Sequence, residues 1–124
     1  MLKEINEQLE TLYRTYEGDN NTGTGIWTHI YLEGQPINFR IHQENEKFSR
    51  LVTTPNFSEW MAWATGDWKK AASAIEALAK PYGVTWDNDA GILQLRFRRN
   101  EMTVAQAVVR LQQAVAVISA LGPV

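Results

Sequence analysis

The sequence predicts a single α+β domain in which helices cover one face of a mainly antiparallel sheet, in the order α-βββ-α(α)-ββ-α. Three observations lead there. The runs 25–32, 37–42 and 92–98 alternate apolar and polar residues with period two and are rich in β-branched and aromatic side chains. The stretch 103–121 repeats apolar residues at helical spacing instead. The links between strands are of hairpin length, and no repeat, linker or low-complexity tract interrupts the 124 residues, so one domain is expected over 1–124.

Each element has its own signal. Leu2, Ile5, Leu9, Leu12 and Tyr16 recur at helical spacing among Lys3, Glu4, Glu7, Glu10 and Arg14, which predicts an amphipathic first helix closed by Gly18. After the polar loop DNNTGTG, the runs GIWTHIYL and INFRIH read as a hairpin turned at Gly34-Gln35. Ile26, Ile30, Leu32, Ile37, Phe39 and Ile41 form its core face; Trp27, His29, Tyr31, Asn38, Arg40 and His42 form the other. Lys47 to Thr54 is a third strand with weaker alternation. Beyond Pro55 come a short helix, SEWMAWA, and a second one, WKKAASAIEALAK, capped by Asp67, with Ala71, Ile75, Leu78 and Ala79 buried and Pro81 and Gly83 ending it.

A second hairpin follows, Val84 to Asp87 and Ile92 to Arg98, with Val84, Trp86, Leu93, Leu95 and Phe97 inward. Its Asp87-Asn88-Asp89-Ala90-Gly91 link supplies the residues a tight turn needs, and it lacks the twelfth-position glutamate of a calcium loop. In the last helix Thr103 and Gln106 form a capping box, and Val104, Ala107, Val108, Leu111, Ala114, Val115, Ile118 and Leu121 make one broad apolar face. Ala105, Val109, Ala116 and Ala120 make a second strip, and Arg110 is the helix's one charge. So little charge predicts more burial than one small sheet provides, hence a homodimer that buries part of that strip, with Val109 and Ala116 as contacts, or the Trp60 and Trp63 cluster of the short helix. Those rings can alternatively plug one end of the core.

Composition narrows the function classes. Apolar residues at 44% and charged ones at 21% describe a soluble globular chain, and a net charge of −2 gives no overall pull toward nucleic acid or an acidic membrane. Zero cysteines exclude disulfides, thiolate metal sites and cysteine nucleophiles. MLKEINEQLE mixes charge with apolar residues, unlike a signal peptide, and no apolar run reaches the ~20 residues of a membrane span. Together these predict a cytoplasmic protein.

No catalytic constellation emerges. The serines lie in no nucleophile elbow, Gly23 and Gly25 do not open a phosphate loop, and the glutamates of the first helix suit a solvated face. The hairpin register places His29 opposite Arg40 and Trp27 opposite His42, bringing the two histidines roughly 7–8 Å apart on a diagonal. No carboxylate completes a metal set there, so catalytic, cofactor and metal sites are all expected to be absent. What stands out is the non-core sheet face. Trp27, His29, Tyr31, Arg40 and His42 from the first hairpin and Arg96 and Arg98 from the second carry no acidic side chain among them. Aromatics give contact area at small entropic cost, and arginines give forked donors to carboxylates. The face is expected to bind an acidic protein segment, more tightly once the histidines protonate below about pH 6.5. A nucleic-acid-binding use of the same face, with Arg99, Lys69 and Lys70 adding charge, is the alternative.

Element order, the passage Gly83-Val84 … Asp89-Ala90-Gly91-Ile92-Leu93 and the long apolar helix after it resemble the fold of type III secretion chaperones and the related YbjN-like bacterial proteins. The resemblance implies a homodimeric, chaperone-like or adaptor-like protein-binding module without catalytic residues. In outline the chain also resembles small phage and prophage proteins that inhibit host factors.

Overall fold

A computed structural model describes residues 14–17, 24–32, 35–54, 57, 59, 61 and 71–120, with backbone alone for 14–17, 24, 27, 29–32, 35 and 36. Among the described residues, six strands form one antiparallel sheet: β1 (Arg14–Glu17), β2 (Thr24–Leu32), β3 (Gln35–Gln43), β4 (Phe48–Thr53), β5 (Thr85–Asp87) and β6 (Ile92–Arg98), in the order β1-β2-β3-β4-β6-β5. Helices α1 (Ala72–Ala79) and α2 (Val104–Ser119) share one face of it, and a 3-10 turn, Lys80–Tyr82, follows α1. The α+β class expected from the sequence is what the chain adopts. No helix among the described residues is long and apolar enough to cross a membrane.

Inward residues of both layers merge into one core. Ile26, Ile37, Phe39, Ile41 and Leu51 from the sheet meet Ile75 and Ala79 of α1 and Ala107, Val108, Leu111, Ala114, Val115 and Ile118 of α2, all fully buried or nearly so. Phe57 and Met61 are buried in the same core. The second hairpin keeps its expected alternation, with Trp86, Leu93, Leu95 and Phe97 inside. Asp87 Oδ1 accepts the N–H groups of Asp89 and Ala90, and Gly91 closes the turn at φ 69°. The capping box opens α2: Thr103 Oγ1 accepts the Gln106 N–H at 3.1 Å, and Gln106 Oε1 accepts the Thr103 N–H at 3.0 Å. Gly83, at φ 72°, gives the left-handed residue that ends the 3-10 turn.

Two expectations need correction. The first helix was expected to run through Tyr16, but Arg14–Glu17 is a strand, with Arg14 opposite Trp27 and Glu17 opposite Thr24. Tyr13 to Tyr16 combines aromatic and β-branched residues, and β2's outer edge offers a ladder that outweighs helical periodicity. Residues 2–13 lie outside the described residues, as do Asp67 and the SEWMAWA residues other than Glu59 and Met61.

The hairpin register is the other. Leu32 pairs directly with Gln35, so the chain reverses within two residues, the commonest hairpin length. The ladder then shifts between Ile26 and Ile30, leaving residues 27–29 of β2 opposite Asn38 alone. Because two extra residues are accommodated, Ile26 against Phe39 and Ile30 against Ile37 keep the same parity. Thr28 sits buried in this bulge, where its hydroxyl donates to the Ile37 carbonyl and its own carbonyl accepts Gln112 Nε2 of α2 at 3.3 Å.

Candidate functional site

The register decides which side chains meet on the sheet face away from the helices. Gly25, not His29, lies opposite Arg40, and the paired part of β2 ends at Thr24 against Ile41, so the expected meeting of His29 with His42 does not occur. His42 instead lies opposite Arg50 on β4, and Arg50 lies opposite Arg96 on β6. Three basic side chains thus form one row across three adjacent strands. One step along, Phe48 lies opposite Arg98.

Phe48 organises the cluster. The Arg96 guanidinium stacks over its ring at 3.8 Å from the centroid, and that of Arg98 stands at 4.9 Å. A guanidinium held flat on a ring keeps its edge donors pointing outward. Glu44, just beyond β3, brings the carboxylate: Oε2 accepts from Arg96 Nε at 2.7 Å, while Oε1 is 3.7 Å from Arg50 Nε. The second distance is too long for a hydrogen bond. Arg50 Nε is buried and has no hydrogen-bond partner among the described residues.

The β3–β4 turn that carries Glu44 is held from several sides. Asn45 Oδ1 accepts the N–H groups of Lys47 and Phe48, and the Phe48 carbonyl accepts the Glu44 N–H at 3.1 Å. Arg99 donates to the Phe48 carbonyl at 2.7 Å, to Ser49 Oγ at 2.9 Å and to the Asn45 carbonyl. By sequence Arg99 belongs with the outer basic residues, but its guanidinium is used to staple this turn.

His42 is half-buried, and its pKa lies below the ordinary 6.5, first because burial disfavours the imidazolium and then because Arg50 and Arg40 stand nearby; Glu44 pulls weakly the other way. Protonation of His42 therefore begins at a lower pH than its bare type suggests.

Of the expected partner-binding residues, Arg40, His42, Arg96 and Arg98 lie on the described outer face, Arg96 and Arg98 exposed and Arg40 and His42 half-buried. Side chains of Trp27, His29 and Tyr31 lie outside the described residues. The same holds for Trp60 and Trp63. Val109 is 41% exposed, the one large hydrophobic so exposed among the described residues, and Ala116 is exposed beside it on α2. A shallow depression of about 480 Å³ runs along this side of α2, lined by Met102, Ala105 and Val109 between Glu101 and Arg110.

Comparison with protein-family models, curated proteins and solved structures finds no match. Function must therefore be argued from the site itself.

Sequence reasoning missed Arg50 and Phe48. In KFSRLVTT the bulkier alternating set is Phe48 and Val52, yet Ser49, Leu51 and Thr53 are the residues that face the core. Their polar groups are answered inside: Ser49 by Arg99, and Thr53 Oγ1 by the Leu93 N–H at 3.1 Å. The signal available was Leu51, whose inward position sends Arg50 outward.

Proposed function

We propose that this chain is a cytoplasmic, non-enzymatic protein-binding module, chaperone-like or adaptor-like, that receives an acidic segment of a partner protein on its outer sheet face. The observation that carries the reading is the row His42–Arg50–Arg96, with Arg98 beside it, answered among the described residues by the carboxylate of Glu44. Like charges directly opposite across strands, as Arg50 and Arg96 are, cost stability, and such a pair makes physical sense where an anion comes to rest. Guanidinium groups present forked donors that match a carboxylate, which suits binding of an acidic segment.

Among the described residues, protein is favoured over single-stranded nucleic acid by the state of Phe48. Base stacking needs an open ring face, and Arg96 covers that of Phe48. The outer strip of α2 supports a second part of the reading, self-association through Val109 and Ala116, because small alanines allow two helices to approach closely and Val109 is left in solvent.

The test is a capture experiment with the intact chain and with Arg40→Glu/Arg96→Glu, read by mass spectrometry with nucleic acid quantified alongside. Capture of an acidic protein by the wild type and not by the folded double variant supports the reading. Undiminished capture moves the site elsewhere. A bound species that is nucleic acid, with a steep dependence of affinity on salt, replaces the protein reading. For self-association, light scattering at tens of micromolar that returns the mass of one chain rejects the dimer.

A further inference from the structure

Resting on that reading, we propose that the saddle between Arg50 and Arg96 is a carboxylate subsite, and that Glu44 is its in-chain occupant, displaced when an acidic side chain of the partner enters.

The geometry is that of a site served imperfectly by its own chain. Arg50 and Arg96 are directly opposite on adjacent inner strands, so their guanidinium groups share one patch of surface. Glu44 reaches that patch from a turn held by Asn45 and Arg99, with its own N–H bound to the Phe48 carbonyl. The result is lopsided: a short bond of 2.7 Å to Arg96 Nε and a gap of 3.7 Å to Arg50 Nε. The Arg50 Nε–H is left buried with no acceptor among the described residues, which is costly for a charged donor. A carboxylate from another chain is free of the turn and can settle between the two Nε groups, giving Arg50 the acceptor that Glu44 does not reach.

Access is open from outside. The Arg96 side chain is 53% exposed and that of Arg50 41%, whereas Glu44 is at 28%. Phe48 beneath Arg96 sets the plane of the guanidinium before anything binds, which lowers the entropic cost of the incoming contact. Glu44 then serves two ends. It neutralises part of the row in the free protein, and it sets a threshold so that only a segment able to outcompete it is held.

The test uses a fluorescein-labelled octa-aspartate peptide and the full chain, with anisotropy measured at about 20 mM and about 150 mM salt. Glu44→Gln keeps the size of the side chain and removes its charge; the expected result is binding about fivefold tighter than wild type, the scale set by an exposed ion pair that no longer competes. Arg50→Gln should weaken binding in both backgrounds. Independently, the Arg50 Nε–Hε resonance of the wild type should move downfield on adding the peptide, as that proton gains an acceptor. Equal or weaker binding by Glu44→Gln, with wild type binding normally, overturns the role given to Glu44 and leaves the acidic-segment reading standing. Absence of binding by both proteins, with no Arg50 shift, overturns both. Tighter binding of an oligothymidylate of equal charge assigns the saddle to phosphate and overturns the carboxylate assignment.

Discussion

Replacing Arg99 by alanine should destabilise the protein by about 2–3 kcal/mol, well short of what three charge-assisted bonds suggest, and the shortfall can be worked out contact by contact. The guanidinium donates to three oxygens: the Phe48 carbonyl, Ser49 Oγ and the Asn45 carbonyl. The Phe48 carbonyl keeps the Glu44 N–H at 3.1 Å after truncation, so it is not orphaned. Asn45 is exposed, and water can replace the guanidinium at its carbonyl. Ser49 is fully buried and loses its acceptor's donor outright. The loss is therefore dominated by one buried hydroxyl and by the looser turn. Urea unfolding measures it directly, and the melting temperature should fall by about 4 °C per kcal/mol. Arg99→Lys keeps the charge but replaces the planar fork with one compact ammonium that cannot span all three oxygens, and should recover part of the loss. In the double variant with Ser49→Ala, the two effects should fall short of additivity by about 1 kcal/mol, since both remove the same contact. A change below about 0.5 kcal/mol for Arg99→Ala would refute the staple, because it would mean that the β3–β4 turn holds without it.

Other outcomes follow from the same contacts. Because the folded pKa of His42 lies below 6.5, the unfolded chain binds more protons in the window between the two values; stability should fall as pH drops through 6.5, and His42→Gln should flatten that part of the profile. In an NMR titration Arg50→Ala should raise the His42 pKa while leaving it below 6.5, since burial, the larger cause, remains; a wild-type midpoint above 6.5 contradicts the packing described. Thr103→Ala removes the cap of α2 and should cost about 1 kcal/mol in thermal or urea unfolding, with Thr103→Ser near neutral. Leu111→Ala, at a fully buried position of the same helix, should cost about 2–5 kcal/mol, and a loss under about 1 kcal/mol would show that α2 is not seated on the sheet.

Local sequence is sufficient for each segment whose own pattern and whose final packing demand the same thing. The last helix is the clearest instance: Thr103 and Gln106 cap it, and the apolar positions read at helical spacing from Val104 to Ile118 are the ones that are buried. The second hairpin is another, since alternation in ILQLRFR and the Asp87–Gly91 turn chemistry are both local properties. Tertiary structure alone decided the rest. Arg14–Glu17 carries helical periodicity but becomes a strand because β2 offers it a ladder, and no window of its own sequence contains β2. Register decided the candidate site in the same way: a two-residue reversal and a bulge at 27–29 moved Arg40 from His29 to Gly25. β4 pairs with β3 across a short turn, but its pairing with β6, which turned Arg50 into the centre of the basic row, joins segments more than forty residues apart. Alternation tells which residues share a face of one strand; which strand lies alongside is set by the free energy of the whole sheet.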